Sequence, residues 1–206
     1  MAIEQSFKEL QKMGDGCMKM LDWMKELRRQ DDPDQALSDR LQHREQILDV
    51  VQDEVSAYIT NLLSGNIPHI VADEARRQLR IADEYESVSD YLANLEKFDR
   101  KLRRDGHRFS VEQRADLDQL NQLAVDYLTT VNEAHAVTNR NVIAKSEPFS
   151  RRMKDAIKQL RKKHMDELSK GEIAPTVTVA YMAALNAYSR VRDHVHSIAE
   201  EISEEK

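Results

Sequence analysis

The segment Ile81-Ala-Asp-Glu-Tyr-Glu-Ser-Val-Ser-Asp-Tyr91 decides the fold, because it combines an uninterrupted helical sequence with carboxylates at helical spacing. It contains no glycine or proline. In a helix, Glu86 and Asp90 are four residues apart and lie one above the other on the same face. Two like charges in this arrangement repel each other and do not stabilise a helix. They require a cation, a basic partner or water, and the choice among these is the main functional question of the sequence.

The composition of the whole chain is that of an all-α protein. Of its 206 residues, 40% are apolar, 33% are charged and 5% are aromatic, with only five glycines and four prolines. This mixture is typical of long helices. The net charge of -6 argues against general nucleic-acid binding, which requires a strongly basic surface. Cys17 is the only cysteine, which excludes an intrachain disulfide and a cysteine-based zinc site, and the chain contains no signal peptide or membrane-spanning run. We therefore expect a soluble, cytoplasmic protein.

Apolar residues recur every three or four positions through six segments, and Gly, Pro or Asp separates the segments. The predicted helices span about 3–28, from the turn at 31–34 to about 63, about 69–104, 111–145, 149–169 and 176–202. The fourth helix is predicted to begin after a Ser110 cap, with Gln113 in capping-box position, and the fifth after the Glu147-Pro148 break. Gly14 and Gly16 lie inside the first helix, where each costs roughly 1 kcal/mol, and both are predicted to allow close approach of a neighbouring helix.

The two halves of the chain repeat one another. Aligning Asp90 with Asp193, at an offset of 103 residues, places Tyr85-Glu-Ser-Val-Ser-Asp90 on Tyr188-Ser-Arg-Val-Arg-Asp193. The repeat and the helix lengths predict two tandem three-helix bundles, residues 1–105 and 106–206, with coiled-coil-like, spectrin-like packing.

These two segments, in register with six helices, resemble the signature segments of PhoU-type phosphate regulatory proteins, a family of two tandem three-helix bundles. The resemblance covers nearly the whole chain. It is closest to the PhoU-like C-terminal cytoplasmic domains of bacterial sodium/phosphate cotransporters, in details such as His164-Met-Asp-Glu-Leu-Ser-Lys-Gly171. It implies a non-enzymatic regulator of phosphate transport or signalling at the inner face of the membrane. The implied partners are a membrane phosphate transporter, a signalling kinase or a second copy of the chain.

The resemblance also implies binding of iron or zinc at Glu/Asp-x-x-x-Asp motifs, and the carboxylate oxygens of these motifs add magnesium and manganese to the candidate metals. The matching positions are Glu45, Asp49, Glu86, Asp90 and, in the second half, Asp193. Ser189 stands where the second motif would have Glu, so we expect metal in the first bundle and weak or no binding in the second. From the residues alone, the first four carboxylates converge if helices two and three are antiparallel, and oxygen ligands suit hard cations. The alternative is a solvated acidic face, or one paired with Arg76, Arg77 and Arg80.

The predicted fifth helix is strongly basic. We predict an anion-binding or docking surface, directed at acidic lipid headgroups or an acidic loop. The alternative is a solvated face or a complement to the acidic half of the same molecule. The residues are Arg151, Arg152, Lys154, Lys158, Arg161 and Lys162.

Catalytic patterns are weak by comparison. Ser189, Asp193 and His196 suggest a triad, but the sequence supplies neither a nucleophile turn nor an oxyanion hole, and there is no Gly-rich phosphate loop. His194 and His196 are two residues apart and cannot both join Asp193 at one metal. We predict that the chain is not an enzyme. The alternatives are a ferritin-like metal-binding or oxidase bundle and a metal-free helical adaptor.

Overall fold

A computed structural model describes residues 2–30, 34–171 and 173–203, and within these it contains six long helices and no strand. Residues 31–33 of the predicted first turn lie outside this part of the chain. The six helices confirm the all-α prediction. They are α1 (Ala2–Arg29), α2 (Gln35–Leu63), α3 (His69–Arg104), α4 (Val111–Ala136), α5 (Val142–Leu168) and α6 (Pro175–Ser203).

Local side chains and glycines set the helix ends as the sequence predicts. The Ser110 hydroxyl accepts from the Gln113 N–H at 3.1 Å, and the Ser110 N–H donates to Gln113 Oε1 at 3.0 Å, which completes the capping box of α4. At the end of α3, Gly106 has a φ of 79°, and the following His107 N–H closes back on the Leu102 carbonyl at 3.0 Å. This left-handed closure requires a residue without a β-carbon penalty, and glycine supplies it.

The predicted boundary between the fourth and fifth helices was wrong. The chain breaks at residues 137–141, and Pro148 lies inside α5 instead of starting it. Thr138 adopts the left-handed conformation, with φ 50°, and the Asn139 N–H reaches the Ala134 carbonyl at 2.8 Å. Glycine is the usual residue in this closure, so the threonine at this position gave no sequence signal for the end of α4. Pro148 lies in the second turn of α5, where it removes the helical hydrogen bond to the Ala144 carbonyl.

Each half of the chain packs on itself, and the two halves then lie side by side. Helices α1, α2 and α3 are in mutual contact, as are α4, α5 and α6, while α1 packs on α4 and α3 packs on α6. Within the described residues, α2 and α5 touch only helices of their own half and are the two outer helices. One apolar core is continuous through both halves. The division into units 1–105 and 106–206 therefore stays a prediction.

The methionine-rich α1 buries one face against α2, α3 and α4. Met13, Met20 and Met24 have almost no exposed surface, so they fill the core. Helix α1 runs antiparallel to α4, because Phe7 packs edge-on against His135 while Arg28 reaches the Leu117 carbonyl.

The predicted close approach occurs at both helical glycines. A β-carbon on Gly14 would lie 2.9 Å from the side-chain amide of Asn132 on α4, and one on Gly16 would lie 2.9 Å from Leu48 on α2. Asn132 Oδ1 also accepts a hydrogen bond of 2.8 Å from the Tyr85 hydroxyl. The Asn132 amide therefore cannot move away from a new methyl group without weakening that bond.

We expect Gly14→Ala to lower the free energy of unfolding by about 1–3 kcal/mol, because overpacking outweighs the roughly 1 kcal/mol of helix propensity that alanine gains. Urea denaturation followed by circular dichroism measures the change. Gly65→Ala is the matched control, because its β-carbon would come no nearer than 3.4 Å to the Leu62 carbonyl oxygen. A Gly14→Ala protein as stable as the parent would contradict the close approach.

Candidate functional site

The surface between α2 and α3 brings the acidic motifs together. The two helices are antiparallel, because Gln42 Nε2 donates to Glu96 Oε2 at 2.8 Å while Gln52 Nε2 donates to Asp83 Oδ1 at 2.6 Å. This register places residue 45 opposite residue 90 and residue 49 opposite residue 86. We call the four carboxylates of Glu45, Asp49, Glu86 and Asp90 the acidic cluster.

The electrostatics of Glu86 indicate that the acidic cluster converges. Partial burial raises the pKa of the Glu86 carboxyl, and the negative charges of Asp90, Asp49 and Glu45 raise it further. Three like charges from two helices thus act on one carboxyl. An arrangement of this kind favours any cation that can reach it.

The acidic cluster has only weak neutral partners. Glu86 accepts from the Ser87 hydroxyl at 3.4 Å, and Asp90 accepts from Asn94 Nδ2 at 3.2 Å. Within residues 2–30, 34–171 and 173–203, no lysine or arginine forms an ion pair with the cluster.

The three arginines of the alternative explanation pair elsewhere. Arg76 contacts Asp73 at 3.0 Å, Arg77 contacts Glu74 at 2.8 Å and Arg80 contacts Glu201 at 2.7 Å. The alternative prediction, that these three arginines neutralise the acidic cluster, is therefore wrong.

The acidic cluster fits a metal ion in residue type but is not preformed for one. Carboxylate oxygens suit Mg²⁺, Mn²⁺ or iron. In the described part of the chain, however, no three acidic, histidine or cysteine side chains stand in a metal-holding arrangement. Binding would require rotation of the side chains, which are half-buried or exposed. Metal binding here stays a prediction.

Asp193 lies apart from the acidic cluster, on α6. Its carboxylate is paired with Arg192, which supplies a positive charge where the first half has none. The neighbouring histidines diverge as their spacing predicts. His194 Nδ1 lies 2.7 Å from Glu84 Oε2 on α3, whereas His196 Nδ1 lies 3.3 Å from the Tyr127 hydroxyl on α4.

The basic residues of α5 lie on the outer surface of the second half. Five of the six predicted docking residues are exposed, and Arg161 is half-buried. Arg151 lies 3.5 Å from Glu147 on the same helix. Lys163, just beyond them, is instead held by Asp116 of α4 at 2.9 Å. We call Arg151, Arg152, Lys154, Lys158, Arg161 and Lys162 the basic face.

The sequence patterns missed a buried polar connection between the halves. Tyr85 and Tyr188, which the repeat aligns, are both fully buried, and each donates to an α4 asparagine, Tyr85 to Asn132 and Tyr188 to Asn121 at 2.9 Å. Tyr188 also accepts from the guanidinium of Arg28 on α1 at 2.5 Å. The aligned tyrosines were a visible signal of equivalent positions in the two halves, but nothing in the sequence marks Arg28 as the partner of Tyr188.

Comparison with known proteins identifies the fold. No family model and no curated protein matches the sequence. Among solved structures, the phosphate transport system regulatory protein PhoU from Streptococcus pneumoniae superimposes with a TM-score of 0.79 at 13% identity, over 97% of this chain and 92% of that one. PhoU from Pseudomonas aeruginosa superimposes with a TM-score of 0.75 at 14% identity, over 98% and 95%. None of the described helices is long and apolar enough to cross a bilayer. This chain therefore has the PhoU fold, as the resemblance in its signature segments implied.

Proposed function

We propose that this chain is a non-enzymatic regulatory module of phosphate transport or phosphate signalling. The supporting observation is the superposition of almost its entire length on a PhoU that is described as a regulatory protein of a phosphate transport system. The module acts by docking to a membrane phosphate transporter, or to a signalling kinase associated with it, at the cytoplasmic face of the membrane. Within the PhoU-like proteins, we propose that this module corresponds to the cytoplasmic tail of a sodium/phosphate cotransporter. Self-association as a homodimer is compatible with the same docking.

The basic face supports docking to an anionic surface. Lys154, Lys158 and Lys162 are each four residues apart, so three like charges lie along one ridge of α5. Such pairs destabilise a helix by about 0.2–0.5 kcal/mol each, and their exposure means that no core packing requires them. Near an anionic leaflet, each lysine or arginine contributes roughly 1 kcal/mol of attraction. A surface with four or more such residues would hold the module reversibly at the membrane or on an acidic loop of a transporter.

Reversing the charge at four positions of the basic face should abolish association with anionic vesicles. The variant carries Arg151→Glu, Arg152→Glu, Lys154→Glu and Lys158→Glu. Co-sedimentation with phosphatidylserine vesicles measures the effect, and phosphatidylcholine vesicles report binding that does not depend on charge. We expect a loss of at least about tenfold in affinity, because four attractions become repulsions.

A control with the same change in net charge separates local docking from global charge. It carries glutamate at four exposed basic positions of α1 and α3, namely Lys8, Lys19, Arg29 and Lys97. This control should retain most of the binding. If both variants lose vesicle binding equally, or if the variant of the basic face binds vesicles as the parent does, the basic face is not the docking surface.

A second proposed role is metal binding at the acidic cluster, supported by the convergence of three carboxylates on Glu86. The metals in question are iron, zinc, magnesium and manganese, and the metal would relieve the mutual repulsion of the carboxylates. We expect metal titration by calorimetry to show binding that is lost in a Glu86→Gln, Asp90→Asn variant. Asp193→Asn, the matched change in the second half, should leave binding intact because Arg192 already neutralises that carboxylate.

Two further measurements on the parent protein and the Glu86→Gln, Asp90→Asn variant address the alternative functions. Oxygen consumption on addition of Fe²⁺ would indicate a ferritin-like oxidase and contradict a regulatory role. If the parent protein binds no metal and the double variant supports unchanged phosphate uptake, the metal-free helical adaptor is the function that agrees with both results.

A further inference from the structure

A polar cavity outside both the acidic cluster and the basic face lies where the start of α4, the end of α5 and the start of α6 meet. Its volume is about 510 Å³, and its lining includes Gln113, Asp116, Lys163, His164 and Tyr181. His164 is only 1% exposed, although a histidine at a helix surface would normally contact water. A buried imidazole in the wall of a polar cavity needs hydrogen-bond partners on both ring nitrogens.

Only one of the two ring nitrogens of His164 has a partner. Gln113 Oε1 accepts from the Ser110 N–H at 3.0 Å, so the group that Gln113 turns towards His164 is its amide Nε2, which lies 3.5 Å from His164 Nδ1. Because an amide nitrogen can only donate, Nδ1 must accept, and the proton of the neutral ring is on Nε2. Burial lowers the pKa of His164, which keeps the ring neutral.

The second nitrogen, Nε2, is a buried donor without an acceptor. It has no hydrogen-bond partner among the residues that the structure describes. Leaving such a donor unsatisfied costs about 1–3 kcal/mol. A group that supplies an acceptor oxygen would recover that energy.

The cavity is lined by three basic side chains, Arg108, Lys163 and Lys170, and by three acidic ones, Glu112, Asp116 and Glu167, so its formal charges balance. The carboxylate of Asp116 is already held by Lys163 Nζ at 2.9 Å, and the Tyr181 hydroxyl donates to it at 3.5 Å. The Glu112 carboxylate turns to its own backbone N–H and to Ser110 at the start of α4, which lowers its pKa. The hydrogen bond from Lys163 to Asp116, together with the charges of Asp116 and Glu167, raises the pKa of the Lys163 ammonium group. The group that faces a ligand at His164 is therefore a hydrogen-bond donor, the Nε2–H, which suits an acceptor oxygen and not a metal ion. The exposed Lys170 adds a further positive charge at the rim.

We propose that this cavity binds a small oxyanion, of the carboxylate or phosphate class, with an oxygen that accepts the Nε2–H of His164 and a charge that the exposed Lys170 balances. The site goes beyond the proposed docking function, since neither the basic face nor the acidic cluster takes part in it. It also differs in chemistry from the acidic cluster, because it offers donors where the cluster offers acceptors.

Histidine-selective ¹⁵N NMR of the whole chain tests the site directly. The protein is titrated at constant ionic strength with inorganic phosphate, with acetate and with chloride. We expect a saturable shift of the His164 Nε2 resonance with one or both oxyanions and none with chloride. The response to phosphate against acetate distinguishes the two oxyanion classes. No shift of His164 with either oxyanion at about 50 mM would overturn the proposal, as would a response to Zn²⁺ in their place.

Variants separate binding from folding. His164→Leu removes the donor and should weaken oxyanion binding by at least about tenfold, whereas His164→Gln restores a side-chain N–H and should keep most of it. Lys170→Ala, at an exposed position in the turn after α5, should weaken binding several-fold, while Lys145→Ala, also exposed but near the start of α5, should not. Unchanged binding in both His164→Leu and Lys170→Ala would refute the site. Vesicle association should be unaffected in all four variants, so failure here is distinct from failure of the docking function.

Discussion

Replacing Arg28 with methionine should lower the free energy of unfolding by about 2–4 kcal/mol. Arg28 is 5% exposed near the end of α1, and its guanidinium donates to the Leu117 carbonyl at 3.2 Å and to the Tyr188 hydroxyl at 2.5 Å. It also lies 3.5 Å from the carboxylate of Asp118. Methionine fills a similar length but leaves all three oxygens without their donor.

The size of this effect depends on Asp118. Removing one partner of a fully buried ion pair costs about 3–5 kcal/mol, because the other charge stays desolvated. The Asp118 side chain is 30% exposed, so water can replace part of the lost interaction, and the expected cost is lower. The Leu117 carbonyl and the Tyr188 hydroxyl are more deeply buried than Asp118, and the loss of their hydrogen bonds to Arg28 accounts for the rest of the expected destabilisation.

Guanidinium denaturation followed by circular dichroism measures the change, and Arg29→Met is the matched control. Arg29 is the next residue in the same helical turn but is exposed, so its replacement should change stability by no more than about 0.5 kcal/mol. A double-mutant cycle with Tyr188→Phe should give a coupling energy above about 0.5 kcal/mol, because the two side chains share one hydrogen bond. If Arg28→Met were as mild as Arg29→Met, the buried connection between the halves would not stabilise the protein.

Arg28 also illustrates where prediction from the sequence ends. Two arginines close α1, and both suit the negative end of a helix dipole, so local rules treat them alike. Which of them is buried depends on how α1 is rotated between the two halves, and a single helix contains no information on that rotation. The same limit applies to His164, since its burial requires three helices that meet only in the folded chain.

Features that depend on neighbouring residues were predictable. The capping box at Ser110, the break at Gly106 and the antiparallel register that brings Glu45 and Asp49 towards Glu86 all follow from spacing and turn chemistry. The break at Thr138 was missed for a local reason too, because a left-handed threonine does not carry the glycine signal on which such predictions depend.

The repeat preserves backbone positions while reversing surface charge. Helices α2 and α5 occupy equivalent outer positions, yet α2 contributes two carboxylates to the acidic cluster and α5 carries the basic face. A molecule with opposite charge on its two outer helices orients in the field of an anionic surface. In the proposed docking, this asymmetry would turn the second half towards the anionic surface and the acidic cluster of the first half away from it.

Acidification should destabilise the fold through His135. This residue of α4 is 5% exposed and lies against the rings of Phe7, at 4.8 Å, and Tyr85, at 6.3 Å. Burial lowers its pKa from 6.5 to about 4. The unfolded chain therefore binds a proton more readily than the folded chain between these two values. The contribution of the neutral His135 to the free energy of unfolding is fully present above about pH 6.5, and it is lost as the pH falls towards about 4.

The expected loss across this window is roughly 3 kcal/mol, from about 1.4 kcal/mol for each pKa unit. Urea denaturation at pH 7, 6, 5 and 4.5 measures it, and His135→Phe should flatten the slope because phenylalanine cannot take up the proton. His43→Phe, at an exposed position on α2, should leave the slope unchanged. Burial lowers the pKa of His164 as well, so part of the slope should remain, whereas the raised pKa of Glu86 acts in the opposite direction. These contributions are common to both proteins, so the difference in slope between the parent and His135→Phe isolates His135. Parallel slopes in the two proteins would mean that the folded chain accommodates the charged imidazole.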